Sequence, residues 1–569
     1  MIEFSNVFHS YRQGQSSLVG FDTVFREGAV SGIFGENGAG KSTIAMMING
    51  LLKPDAGVVR VDGSETTDVE SLWEIRKNVG LVFQNPDSQF VATTVEREVA
   101  FGLENVGVES SEIRRRVEEV LRSLDISMIK DRSPRDLSQG EKGIVSVASI
   151  LALSPKYLIL DEPTSHLDRF EAQRLWSLIQ RSEQKPSIIL ITQDREEIER
   201  CDHVVALERG RKTYDGPAKE FLNSAYITSD LTQMARELVN LGVDVIPGPA
   251  STDELADSIW EKRRRTAKKQ DERIPFAESL EGEKPWVDTI NLIDGGYVYK
   301  RGSGDEKTGM EHANVDLRRG EFVGIVGQNG SGKTTLSLVL AGLLRPTSGS
   351  FLVNGFDAPG GGDVAKFRRE TGFVFQNPER AFFTDSCLNE VTFGLKNFKI
   401  EKPEEKAASA LDFAGLPHED FGKRSPFEIS YGEQRRLAIA CALAYEPRIL
   451  FFDEPTAGLD QKGKDFIYEL LFRIKASGRT VVLVSHDLAP VLDLSDRVLA
   501  LDKGRIVYTG PPAYLSKTTL GEQLGIKESD AHEVLIKLSA KGLDVSTEIF
   551  SPRLAAAAIN QALGLNLSE

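Results

Sequence analysis

Cysteine is scarce in this 569-residue chain: Cys201, Cys387 and Cys441 lie far apart and form no C-x-x-C pair. That spacing excludes a disulfide framework and a compact zinc or iron–sulfur module, and it fits a reducing compartment. No apolar run reaches the roughly 18 residues needed to span a bilayer, so any membrane role would come through a partner. The opening Met1-Ile2-Glu3-Phe4 reads as a strand and lacks the basic and apolar regions of an export signal. Positive charge is not in excess either: 69 Lys plus Arg face 85 Asp plus Glu, a formal charge of −16. Broad binding to nucleic acid is therefore not expected. The length suggests about four domains of roughly 150 residues, and each half can bury its own core.

What the chain does contain is one glycine-rich loop written twice. Gly35-Glu36-Asn37-Gly38-Ala39-Gly40-Lys41-Ser42 and Gly327-Gln328-Asn329-Gly330-Ser331-Gly332-Lys333-Thr334, followed by Thr43 and Thr335, both fit G-x-x-x-x-G-K-[ST]. In that pattern backbone amides wrap a nucleotide's phosphates. Each loop follows a short apolar run, Val30-Ser31-Gly32-Ile33-Phe34 or Phe322-Val323-Gly324-Ile325-Val326, as expected of buried parallel strands that feed a helix. The helix start adds unpaired amides and a positive dipole end, Lys41 and Lys333 add full charges, and Ser42 and Thr334 can hold Mg²⁺.

The copies are in register. Gly35 to Gly327 is 292 positions (327 − 35), and Gln84 to Gln376, Leu137 to Ile429, Asp161 to Asp453 and Asp168 to Asp460 repeat the same offset. A duplicated cassette accounts for this. Tyr157-Leu158-Ile159-Leu160-Asp161-Glu162 and Ile449-Leu450-Phe451-Phe452-Asp453-Glu454 read as buried strands ending in paired acids. Carboxylates are costly to bury, so the pairs suggest a nearby cation and a reacting water. Asp161 and Asp453 suit Mg²⁺, and Glu162 and Glu454 suit the water. Ile113, Val117, Val120, Leu121 and Leu124 recur at helical spacing and read as a core stripe.

Taken together, these residues resemble the nucleotide-binding domain of ATP-binding cassette (ABC) proteins. The resemblance implies an α/β fold with two tandem P-loop ABC nucleotide-binding domains, each with a small C-terminal extension, and ATP and Mg²⁺ as cofactors. Leu137-Ser138-Gln139-Gly140-Glu141 and Ile429-Ser430-Tyr431-Gly432-Glu433 resemble the family's signature motif, in which Ser138, Gly140, Ser430 and Gly432 would face the γ-phosphate held by the opposite domain. A serine there also caps a helix in any protein. Gln84 and Gln376 match the glutamine that reaches toward Mg²⁺ and couples the site to a transport partner. Ser165-His166-Leu167-Asp168 and Ala457-Gly458-Leu459-Asp460 match the D-loop. Tyr11 and Tyr299 stand where an aromatic stacks on adenine.

One pair breaks the symmetry. His486 in Val484-Ser485-His486-Asp487 resembles the family's switch histidine, whereas the first cassette reads Ile191-Thr192-Gln193-Asp194. Glutamine donates a neutral hydrogen bond but cannot carry the charge of a histidine. Because the family's sites form head to tail, the cassettes are expected to pair intramolecularly. Lys333, Glu454 and His486 would then close against Ser138 and Gly140 as the standard site. Lys41, Glu162 and Gln193 would close against Ser430 and Gly432 as the weaker one.

The segment Gln84-Asn85-Pro86-Asp87-Ser88-Gln89-Phe90-Val91-Ala92-Thr93-Thr94-Val95 resembles that of the energy-coupling ATPases of ECF vitamin and metal importers, where it touches the membrane scaffold; the copy from Gln376 keeps the opening and then departs. Both tails, from Leu231 to Val245 and from Ala531 to Val545, resemble the extensions by which such ATPases pair. The expected domains are a cassette over 1–222, its extension over 223–260, a charged linker over 261–285, a second cassette over 286–515 and its extension over 516–569. The implied partners are a membrane scaffold protein and a substrate-binding membrane subunit, at the cytoplasmic face of the cell membrane. Two alternatives share the tandem layout: a soluble ABC-F-like ATPase on ribosomes, and the fused ATPase of a monosaccharide importer.

Overall fold

The computed structural model describes residues 1–12, 15–84, 86, 89–165, 167, 169–181, 185–222, 230–246, 249, 251–263, 289–301, 306–357, 363–378, 381–485, 487–515, 518–523, 529–547 and 549–563. They form two compact units, Met1–Ile227 and Thr228–Glu569.

The first unit is built on a six-stranded sheet in the order Arg211–Pro217, His203–Glu208, Val30–Gly35, Ser187–Ile191, Tyr157–Asp161, Val79–Val82. The last five run parallel, and Arg211–Pro217 pairs antiparallel at the edge. Every residue of Val79–Val82, Tyr157–Asp161 and Ser187–Ile191 is buried, which is why these strands read as unbroken apolar runs rather than alternating ones. On one face lies a core shared with an antiparallel sheet of Gln15–Phe25, Ile2–Arg12, Ala56–Val61 and Ser64–Glu65, and with the helix Lys41–Ile48. On the other face pack the helices Val95–Asn105, Ser110–Ser123, Gln139–Leu151 and Arg169–Arg181. Val117 and Leu121 of the expected stripe are buried there.

The second unit repeats the plan. Its six-stranded sheet runs Thr371–Val374, Ile449–Asp453, Thr480–Val484, Phe322–Gly327, Arg497–Asp502, Arg505–Gly510, beside an antiparallel sheet of Lys307–Arg318, Thr289–Tyr299, Ser348–Val353 and Phe356–Asp357. The helices Cys387–Asn397, Pro403–Phe413 and Tyr431–Leu443 gather around a core of their own.

This unit also holds both tails. Asp230–Asn240 and Thr252–Arg263 pack with Asp530–Ala540 and Pro552–Leu563 around one apolar core that includes Met234, Leu238, Ile259, Leu535, Leu538 and Ile559. Polar ties cross the same seam: Thr252 donates to Glu533 at 2.9 Å, Lys537 donates to Thr252 at 2.7 Å, and Lys537 pairs with Asp253 at 2.8 Å. No helix among the described residues is long and apolar enough to cross a membrane.

Candidate active sites in the two cassettes

Each phosphate loop joins the end of a central parallel strand to a helix, Lys41–Ile48 or Lys333–Leu340, whose first turn has no side-chain cap. The amides at such a start lack intrahelical partners and face the place where phosphates would lie. Glycine is required just before each helix: Gly40 and Gly332 hold φ of 103° and 101°, and a Cβ would sit 2.3 Å from the Ser17 carbonyl or 2.4 Å from that of Gly309. The lysine ammonium groups fold back over the loops. Lys41 Nζ donates to the carbonyls of Gly35 (2.7 Å) and Glu36 (3.1 Å), and Lys333 Nζ to those of Gly327 (2.9 Å) and Gln328 (3.0 Å). In the second loop Ser331 Oγ is buried without a hydrogen-bond partner.

The cation side is equally built. Asp161 takes a hydrogen bond from Ser42, and Thr334 Oγ1 donates to Asp453 Oδ1 at 3.2 Å. Burial raises the Asp161 carboxyl above its usual range, with Ser42 and Lys41 pulling it down. Burial pushes Asp453 up to about 6, the Glu454 charge adds to this, and Thr334, Lys333 and Arg435 oppose it. A buried acid so raised is one that gains from a bound cation.

The residue after each of these acids is turned out of the strand. Glu162 and Glu454 adopt left-handed backbone, φ 46° and 49°, which a non-glycine residue holds only when its surroundings impose it. In the first cassette Glu162 is gripped from three sides: Gln84 Nε2 donates to Oε2 at 2.6 Å, Gln193 Nε2 donates to Oε1 at 3.3 Å, and Lys41 Nζ lies 3.8 Å away. Gln193 also donates to Asn37 Oδ1 of the phosphate loop at 2.9 Å. The fold thus brings together Asn37, Lys41, Ser42, Gln84, Asp161, Glu162 and Gln193. In the second cassette Glu454 is buried and Gln376 half-buried. His486, like His166 and Asp168, lies outside the described residues.

Tyr11 and Tyr299 meet the residue two past each lysine: their hydroxyls are 3.2 Å from Thr43 Oγ1 and 2.9 Å from Thr335 Oγ1. Tyr11 is 55 % exposed, leaving its ring accessible to a planar base. Ser138 and Ser430 each begin a helix with a reciprocal cap: Glu141 N donates to Ser138 Oγ at 3.2 Å and Ser138 N to Glu141 Oε2 at 2.8 Å, with the same pair at 3.4 and 2.7 Å in the second copy. Gly140 is confined, since a Cβ there would fall 2.0 Å from Glu171 Oε1, whereas one on Gly432 would meet only Leu459 at 3.6 Å.

Sequence reasoning missed Glu197. It stands in Asp194-Arg195-Glu196-Glu197, which reads as a solvated acidic turn, yet its side chain is buried. Its carboxylate accepts from Thr164 Oγ1 at 2.8 Å and Trp176 Nε1 at 3.3 Å, and also bonds Thr192 beside Gln193. Burial pushes it up to about 7. The second cassette solves the same problem differently, with Tyr468 reaching Asp487 Oδ2 at 2.5 Å and Thr456 Oγ1 at 3.5 Å.

A glycine-rich loop at a helix start with its lysine, a hydroxyl and carboxylate pair beside it, and a second acid held clear of the strand define a nucleotide hydrolase of the P-loop class. The family model described as ABC transporter matches residues 18–165 and 310–457, and the chain belongs to that family. It is 35% identical over 508 residues to the "Putative HMP/thiamine import ATP-binding protein YkoD" of Bacillus subtilis, covering 86% of this chain and 87% of that protein. It is 31% identical over 522 residues to a "Putative ABC transporter ATP-binding protein" of Caldanaerobacter subterraneus, covering 88% and 89%. Among solved structures it is similar to cbiO1 from Clostridium perfringens, part of the cbiONQ complex, at 29% identity and TM-score 0.37 over 44% of this chain and 96% of that one.

The protein is an ATPase that uses Mg²⁺, and the residues fit both. The loop amides, Lys41 and Lys333 would hold phosphate; Ser42 with Asp161 and Thr334 with Asp453 are hard oxygen donors of the kind Mg²⁺ takes. The metal supplies charge neutralisation to the phosphates during transfer.

Proposed function

We propose that this chain is the energy-coupling subunit of a membrane importer, of the ECF type for a vitamin or metal ion, lying at the cytoplasmic face of the membrane. The observation that carries it is the pair of complete cassettes whose tails share one core. The import name borne by the Bacillus subtilis relative, matched over most of both chains, supports the same reading. A membrane scaffold and a substrate-binding membrane subunit would be its partners. Exposed aromatics beside the glutamine loops, Phe83 and Phe101 in the first cassette and Phe375, Phe383 and Phe393 in the second, offer surface for such a scaffold.

In this reading the two cassettes pair around ATP, with Ser138 and Gly140 serving the loop of Lys333, and Ser430 and Gly432 serving that of Lys41. Lys41 and Lys333 offset developing phosphate charge, and Glu162 and Glu454 orient the attacking water. Turnover falls mainly to Lys333, Glu454 and His486. Carrying both cassettes in one chain gives each a partner at about millimolar effective concentration. Tagged protein expressed in its host and solubilised in mild detergent should copurify with integral membrane proteins and drive ATP-dependent uptake when reconstituted with them. Cosedimentation with ribosomes, without membrane partners, would replace this reading with the ABC-F-like one.

A further inference from the structure

Arg435 has no solvent exposure at all, an unusual place for a guanidinium. It projects from the helix Tyr431–Leu443 into a ring of acceptors: Nη1 donates to the Glu454 carbonyl at 3.0 Å and lies 3.5 Å from that of Phe375, while Nη2 donates to Tyr431 Oη at 2.7 Å and to the Ala457 carbonyl at 3.1 Å. One side chain therefore ties the start of the signature helix to the backbone of the left-handed Glu454, to the turn after it and to the residue before Gln376. The first cassette has Gly143 at the equivalent position, 292 residues earlier (435 − 143). A second exchange accompanies it. Ala457 corresponds to Ser165, and in the first cassette Ser165 Oγ donates to the Glu162 carbonyl at 3.0 Å. The carbonyl of the water-orienting acid is thus held by a guanidinium in one cassette and by a hydroxyl in the other.

We propose that Arg435 is a positioning residue for hydrolysis in the second cassette, locking the Glu454 backbone to the signature helix, and that Ser165 takes a weaker form of this role in the first. A hydrogen bond from a charged donor is roughly twice as strong as one between neutral groups, so the two acids are held with unequal firmness. The proposal rests on the reading that Glu454 orients the attacking water and carries most turnover.

Steady-state Mg-ATP hydrolysis by the full chain tests it, with Glu454→Gln as the control for that reading. Arg435→Met, which keeps volume but loses the bonds, should lower kcat about tenfold while KM for ATP stays within about twofold, because the phosphate loop is untouched. Arg435→Gly should lose as much, and adding Ala457→Ser, which installs the first cassette's arrangement, should recover about threefold. Should the arginine variants fail to fold, Tyr431→Phe keeps the ring and removes one acceptor; a two- to threefold fall in kcat at constant KM is expected. Unchanged kcat in Tyr431→Phe and Arg435→Met, or no rescue by Ala457→Ser, overturns the proposal while leaving the role of Glu454 intact. Full activity in Glu454→Gln overturns the underlying reading, and the proposal with it.

Discussion

At the scale of single residues, the chemistry is concentrated in side chains held in place by their protein neighbours. Gln193 donates to both Asn37 and Glu162, so at this position the first cassette's acid meets a neutral amide where a histidine could have carried charge. Glu454→Gln is therefore expected to abolish most steady-state ATPase activity, about a hundredfold loss, while Glu162→Gln leaves a measurable fraction. Equal losses would reject the division of labour. Glu197 makes a second test. Its folded pKa of about 7 exceeds the ordinary glutamate value of 4.5, so the folded state binds the extra proton between those values. Stability contributed by the protonated form is present at low pH and lost as pH rises from about 4.5 through about 7, a penalty of about 3 kcal/mol when complete. Thermal melts at pH 5 and pH 8.5 should show the wild type losing ground to Glu197→Gln at the higher pH; parallel profiles would contradict this.

Legibility at this scale followed chemistry. The glycine loops, paired acids and capping serines were readable because each demands particular residues at fixed spacing, and the fold sets them where that spacing implied. Arg435 and Glu197 were not readable. A charge inside a helical or acidic run looks like a solvated face, and only the packing of distant strands reveals that it is buried among carbonyls or donors.

At the scale of elements, strands covered on both faces announced themselves as apolar runs, and the helices after Ser138 and Ser430 as capped starts. The tails were visible as a repeated pattern. Their resemblance to extensions that pair with each other anticipated the shared core, whereas the apolar stripes alone do not say which helix covers which. Leu535 is fully buried in that shared core, so Leu535→Ala should cost about 2–5 kcal/mol. Hydrogen exchange should show faster opening in Asp230–Asn240 and Pro552–Leu563 while the strand Ile449–Asp453 stays protected. Uniform change across the chain would argue that the tails have no core of their own.

For the whole molecule, the sequence is a simple tandem repeat, but the helices that follow the first cassette, Asp230–Asn240 and Thr252–Arg263, belong to the unit that holds the second. A protease site placed in the charged stretch after Arg263 should yield two fragments that still elute together under native conditions and part only in denaturant. Separation without denaturant would show the shared core to be too weak to join them.

That shared core also bears on how the polypeptide is made. Thr252 and Glu533 stand 281 positions apart, so helices translated midway through synthesis must wait, with apolar sides uncovered, until the ribosome has delivered their mates. The earlier cassette can mature on its own during elongation, but the core of the four tail helices fastens last. A ribosome stalled before residue 530 would leave that stretch as the piece of the nascent chain in need of a chaperone.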